Sequence, residues 1–261
     1  MEGSEFLTGH MRSFTDEYIL IGGNACALNF RSIGADFRAT VDLDIVLITE
    51  STNDAFYAHF WEYIREHGYE GKVFRGSNAG GCSYRFTLPE EKREPELPVQ
   101  IELFSRKPEY FDSKRSESGR EHITLLEAGD KISNLSAILL DDEVYDFIRA
   151  SKITIENIST VNLECLFGLK SVAWHSNQKL FDEKKITDIN TVLKHPQDMV
   201  SIANVIEEPQ EKAFPPQIFQ SIAVSRKEFS ESEIRARIQS EDADIDTTIR
   251  YIDEFVREQA R

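Results

Sequence analysis

Apolar and polar positions divide the chain into two stretches of different rhythm. Tyr18-Ile19-Leu20-Ile21 is a short apolar run halted by Gly22-Gly23, and residues 24–30 then suit the opening of a helix. Residues 41–48 (Val41-Asp42-Leu43-Asp44-Ile45-Val46-Leu47-Ile48) read as a buried strand that Asp42 and Asp44 interrupt at period two. Both carboxylates then project from one face. Phe56, Phe60, Trp61 and Ile64, at three- and four-residue spacing, predict an amphipathic helix over 54–67, ended by Gly68. Strand patterns over 72–75 and 83–88 flank a hairpin turn at Gly76-Ser77-Asn78-Ala79-Gly80-Gly81. A charged, proline-bounded loop over 89–98 leads into a strand over 99–104, in which Gln100, Glu102 and Phe104 share a face.

Beyond residue 121 the rhythm changes. Segments 123–140, 163–180, 186–193, 198–205, 216–224 and 231–257 favour helix, and strand signals are few. The expected fold is α/β (α+β), a mixed sheet with flanking helices over 12–120 followed by a helical domain over 121–261, with 111–120 as an exposed connection. Residues 1–11 read as a cloning leader, because Gly-Ser-Glu-Phe and His-Met are common remnants of cloning-site codons, and they are left out of the fold.

Composition narrows the function. The 261 residues carry 30 Lys+Arg against 46 Asp+Glu, a formal net charge of −16, at 40% hydrophobic content. That charge repels long nucleic acid over the surface as a whole unless a local basic patch overcomes it. No run approaches the roughly 20 apolar residues of a membrane span, and the N-terminus lacks the order of a signal peptide, so a cytoplasmic protein with no membrane partner is expected. The three cysteines, Cys26, Cys82 and Cys165, are separated and form no CxxC pair, which suggests reduced thiols. His59, His67, His122, His175 and His195 show no metal-ligand spacing.

Two aspartates in an apolar strand are expensive unless a cation neutralises them. A divalent metal is the economical candidate, since Mg²⁺ is held by one or two carboxylates together with substrate phosphates. The Gly22-Gly23 turn before a helix offers backbone amides that can cradle phosphate. Alone, a Gly-Gly turn is commonly a connector and an Asp-x-Asp a solvent-facing strand edge. Their order with Arg38-Ala39-Thr40 and a later strand carrying Glu102 is far more specific.

That order resembles the nucleotidyltransferase superfamily, and Gly22-Gly23-Asn24-Ala25 with Arg38-x-Thr40-x-Asp42-Leu43-Asp44 is most similar to the AbiEii-type nucleotidyltransferases, which include toxins of type IV abortive-infection toxin-antitoxin systems. Downstream, the helix around Lys170 followed by Ala173, and Lys184-Lys185-Ile186-Thr187-Asp188-Ile189, resemble the family's inward lysine and its Lys-Asp-x-x-Asp-Ile segment. The motifs span residues 21–189. Asn24 stands where the family has Ser or Thr, Lys185 where it has the first aspartate, and Glu102 where Asp is more frequent.

The resemblance implies a nucleotidyltransferase-fold sheet and a metal-dependent transfer of NMP from an NTP such as ATP to an acceptor, with release of pyrophosphate. Asp42, Asp44 and Glu102 would hold Mg²⁺ (or Mn²⁺) and carry the catalysis. Gly22, Gly23, Asn24, Arg38, Thr40, Lys170 and Asp188 would bind the nucleotide. Each has a plainer reading beside this: Glu102 as a solvent-facing strand residue, Lys170 as a boundary lysine, Asp188 as an exposed acid or a partner for Lys170, Arg38 as a solvated turn residue. The acceptor is tRNA for a toxin restrained by a cognate antitoxin, or a small hydroxylated molecule as in aminoglycoside nucleotidyltransferases. A non-catalytic nucleotide-binding module is the competing class.

Overall fold

The computed structural model describes residues 6–48, 50–52, 54–71, 85–106, 123–125, 136–207, 213–238 and 244–259. The expected strand over 72–75, the Gly76–Gly81 hairpin turn, Cys82 and the connection over 111–120 lie outside them. The chain divides into two compact units, Met1–Val161 and Asn162–Arg261.

The first unit is mixed α/β. Strands β1 (Tyr18–Ile21), β2 (Asp42–Leu47), β3 (Glu70–Gly71), β4 (Arg85–Thr87), β5 (Gln100–Arg106), β6 (Ile123–Leu125), β7 (Ser136–Leu140), β8 (Lys152–Ile155) and β9 (Ile158–Val161) form one sheet. Its main path runs β3-β4-β5-β2-β1-β9-β8, with β7 pairing β5 and β6. β2 lies between β1, antiparallel to it, and β5, parallel to it. Helices α1 (Gly22–Ser32), α2 (Asp54–Glu66) and α3 (Asp142–Ala150) accompany the sheet. The residues of β2 and β5 opposite in parity to Asp42, Asp44 and Glu102 supply the core, where Ile45, Leu47 and Leu103 meet Phe56 and Phe60 of α2. The Asp42, Asp44 and Glu102 side chains therefore stand on the other face of the sheet.

Three expectations are corrected here. Residues 6–11 belong to the fold: Phe6–His10 makes a π-helical turn, and Phe6 and Met11 are buried in that same core. The helix expected over 123–140 is replaced in its described parts by β6 and β7, because a short apolar run such as Ser136-Ala-Ile-Leu-Leu140 has no period of its own and pairs with β5. The boundary falls after Val161 and not at 120, because the β8–β9 hairpin returns to the sheet, with β9 parallel to β1.

The second unit is helical among the described residues: α4 (Leu163–Asp182), α5 (Asn190–Ala203), α6 (Pro216–Phe229), α7 (Ser232–Ile238) and α8 (Ile245–Gln259). Asn162 caps α4 by accepting the Cys165 N–H at 3.0 Å. The two helices expected over 186–193 and 198–205 are one, α5, which runs through Pro196. No helix among the described residues is long and apolar enough to cross a membrane.

Where α4 and α6 pack, His175 Nε2 lies 3.0 Å from Ser225 Oγ and 3.1 Å from the Ser221 carbonyl, while its Nδ1 faces Glu228 at 3.6 Å. Burial lowers the His175 pKa; burial first, then the nearby Glu231 charge, pushes the Glu228 carboxyl up to about 7. A raised carboxyl pKa means that the folded state binds its proton more tightly than the unfolded one. Its contribution is full below the ordinary carboxyl range and is lost as pH rises toward 7. Glu228→Gln is therefore expected to stabilise the protein at pH 8 by about 1–2 kcal/mol, a figure discounted for the partly exposed side chain, and to change little at pH 4.5. Thermal melts of both proteins across that range check it; a gain that is the same at both pH values would refute it.

Candidate active site

The row that matters crosses four strands. Register places Arg85 of β4 beside Glu102 of β5, Glu102 beside Asp44 of β2, and Asp44 beside Ile21 of β1, the residue before the glycine turn. Gln100 lies beside Asp42 in the neighbouring row. Asp42, Asp44 and Glu102 are each half-buried. Asp44 and Glu102 thus sit on adjacent strands and on the same face of the sheet. The Arg85 guanidinium lies against one of them: its Nη2 forms an ion pair with Glu102 Oε1, to which Gln100 Nε2 also donates at 3.2 Å.

The two glycines are required by close approach. Gly22 has φ +75°, in the left-handed region, and a Cβ there would stand 2.8 Å from Cγ of Asp44. A Cβ on Gly23 would stand 2.9 Å from Oγ1 of Thr40. Gly22-Gly23 is thus the piece of backbone against which the Thr40-x-Asp42-x-Asp44 segment fits, and α1 begins at that point.

Asn24 departs from its expected role. It is fully buried, and its Nδ2 donates to the Asp42 carbonyl at 2.7 Å, so the amide ties α1 to β2 instead of facing a phosphate. Arg38 is exposed, with its guanidinium 5.6 Å from the Phe37 ring centroid.

In the second unit Lys170 is buried and not at the boundary, and its Nζ lies 2.6 Å from Oδ2 of Asp198 on α5. Asp188 does not take that place. It is exposed and accepts the Asn190 N–H at 3.0 Å, at the start of α5. The sequence reading missed Asp198. Its signal was present, since Val192, His195, Asp198 and Ile202 repeat at three- and four-residue spacing, but Pro196 broke the pattern in two. His195 joins the same region through Asn177, whose Nδ2 lies 2.8 Å from His195 Nε2.

A histidine cluster also escaped the sequence reading. His10, His59 and Glu62 bring potential ligand atoms within 4.8 Å of one another. Each histidine Nε2 lies 2.7 Å from the other's carbonyl, and the rings stack 7° from parallel with centroids 3.8 Å apart. Parallel rings keep their lone pairs in separate planes, which suits a clasp between the N-terminal turn and α2 better than convergence on one ion. Compared with known proteins, the chain matches no family model, no curated protein and no solved structure.

Proposed function

We propose that this protein is a metal-dependent nucleotidyltransferase that moves NMP from an NTP to an acceptor hydroxyl and releases pyrophosphate. The observation that carries the reading is the meeting of the glycine turn with Asp42, Asp44 and Glu102 on neighbouring strands. The donor set is carboxylate oxygen, which suits Mg²⁺ or Mn²⁺, and Gly22 leaves Asp44 the space that a Cβ would fill. Asp42 and Asp44 would hold the ion, with Glu102 joining them. When bound, it would neutralise charge on the transferred phosphoryl group and orient it.

The chain's own residues supply position. Asn24 fixes the start of β2 through the Asp42 carbonyl, and Thr40 packs on Gly23, so the turn and the two aspartates hold one geometry. The first amides of α1 would receive phosphate oxygens. On the resemblance, Lys170 and Asp188 are proposed as nucleotide-binding residues, and Arg38 as an exposed phosphate contact.

The net charge of −16 favours a small hydroxylated acceptor, whereas the resemblance favours tRNA and a toxin with a cognate antitoxin. Transfer of label from each of the four α-labelled NTPs into total tRNA and into a panel of aminoglycoside-like molecules, with and without Mg²⁺, tests the reading. The expected result is metal-dependent labelling of one class with release of pyrophosphate. Nucleotide binding with no transfer to either class would favour a non-catalytic module.

A further inference from the structure

We propose that Arg85 is the resting counter-ion of the carboxylate face, holding Glu102 in an ion pair until an incoming cation takes its place; this rests on the nucleotidyltransferase reading above. The row Arg85, Glu102, Asp44 places one cation beside two acids on successive strands. Within the Arg85–Glu102 pair the acid is the more enclosed member, its side chain 12% exposed against 36% for Arg85. Glu102 is therefore the group that most needs a partner, and Arg85 is the one with a route to water. Gln100, two residues before it on the same strand, donates to the same Oε1 at 3.2 Å, so that oxygen has two donors.

A divalent ion and the guanidinium then compete for one carboxylate. In the nucleotide-free protein the competition favours Arg85, so cations meet Asp42 and Asp44 while Glu102 is engaged. A metal-bearing triphosphate would bring a cation that Glu102 would take in place of Arg85, the more exposed member of the pair. Arg85 is thus a positioning residue, and its signature is a penalty on metal affinity.

Mn²⁺ binding to the full-length, nucleotide-free protein, read by electron paramagnetic resonance of the free ion, tests this without any turnover. Arg85→Ala is expected to bind Mn²⁺ about tenfold more tightly than the wild type, the gain disappearing in Arg85→Ala/Glu102→Gln. Arg85→Lys keeps the charge and is expected to stay near the wild-type affinity. With Arg85 in place, Glu102→Gln should leave the affinity within about twofold, whereas Asp44→Asn weakens it. The proposal is overturned if Arg85→Ala binds like the wild type, if its gain survives Glu102→Gln, or if Glu102→Gln alone weakens binding as much as Asp44→Asn. The last comparison holds however Arg85→Ala folds. If Asp44→Asn changes Mn²⁺ binding neither with nor without NTP, the nucleotidyltransferase reading itself fails, a result distinct from the other three.

Discussion

Asp44→Ala is expected to lower nucleotide transfer by about 10³-fold, or ~4 kcal/mol of barrier, in whichever acceptor class takes the label. Asp44 adjoins Gly22 on one side and Glu102 on the other, so its loss removes the carboxylate at the centre of the row. The fold should survive, because the opposite face of β2 supplies the core through Leu43, Ile45 and Leu47. Far-UV circular dichroism and a melting temperature within a few degrees of the wild type would establish that. Gly22→Ala reaches the same loss by another route. An alanine at φ +75° costs roughly 1–2 kcal/mol of backbone strain, and its methyl group would drive the Asp44 carboxylate out of place. The two variants should therefore be comparably inactive, with Gly22→Ala the less stable. Wild-type transfer by Asp44→Ala would remove the carboxylate row from the chemistry.

What the sequence made legible was local in origin. Gly22-Gly23, the period-two aspartates and the face of Glu102 each depend on a few neighbouring residues, and strand alternation transmits them directly. The adjacency of Asp44 and Glu102 depends on parallel pairing between β2 and β5, 58 positions apart, which no local pattern encodes. Arg85 was overlooked for the same reason. The β8–β9 hairpin turns at Glu156 and Asn157, both at positive φ, without the glycine that marks such turns in a sequence. Resemblance to cloning remnants hid Phe6 and Met11, although both are apolar and the core closes over them. At Asp198, the usual rule that proline ends a helix concealed a helix that continues through it.

Asp198→Ala is expected to destabilise the protein by about 3–5 kcal/mol, because it leaves the Lys170 ammonium without the carboxylate it meets at 2.6 Å in a buried setting. For a unit of about 100 residues this amounts to a fall in melting temperature on the order of 10 °C or more. Lys170→Met should cost a similar amount by taking the ammonium away from the buried Asp198 carboxylate. The double variant Lys170→Met/Asp198→Leu removes both charges and should recover most of the loss, since well-packed apolar residues often replace a buried ion pair without penalty. Thermal melts of the three variants measure this directly, and additive losses in the double variant would show that the pair is not the unit of stability. The double variant also separates structure from chemistry at Lys170. Recovered stability with nucleotide transfer still abolished would assign Lys170 to the nucleotide. Recovery of both would make the pair a fixture of the α4–α5 packing.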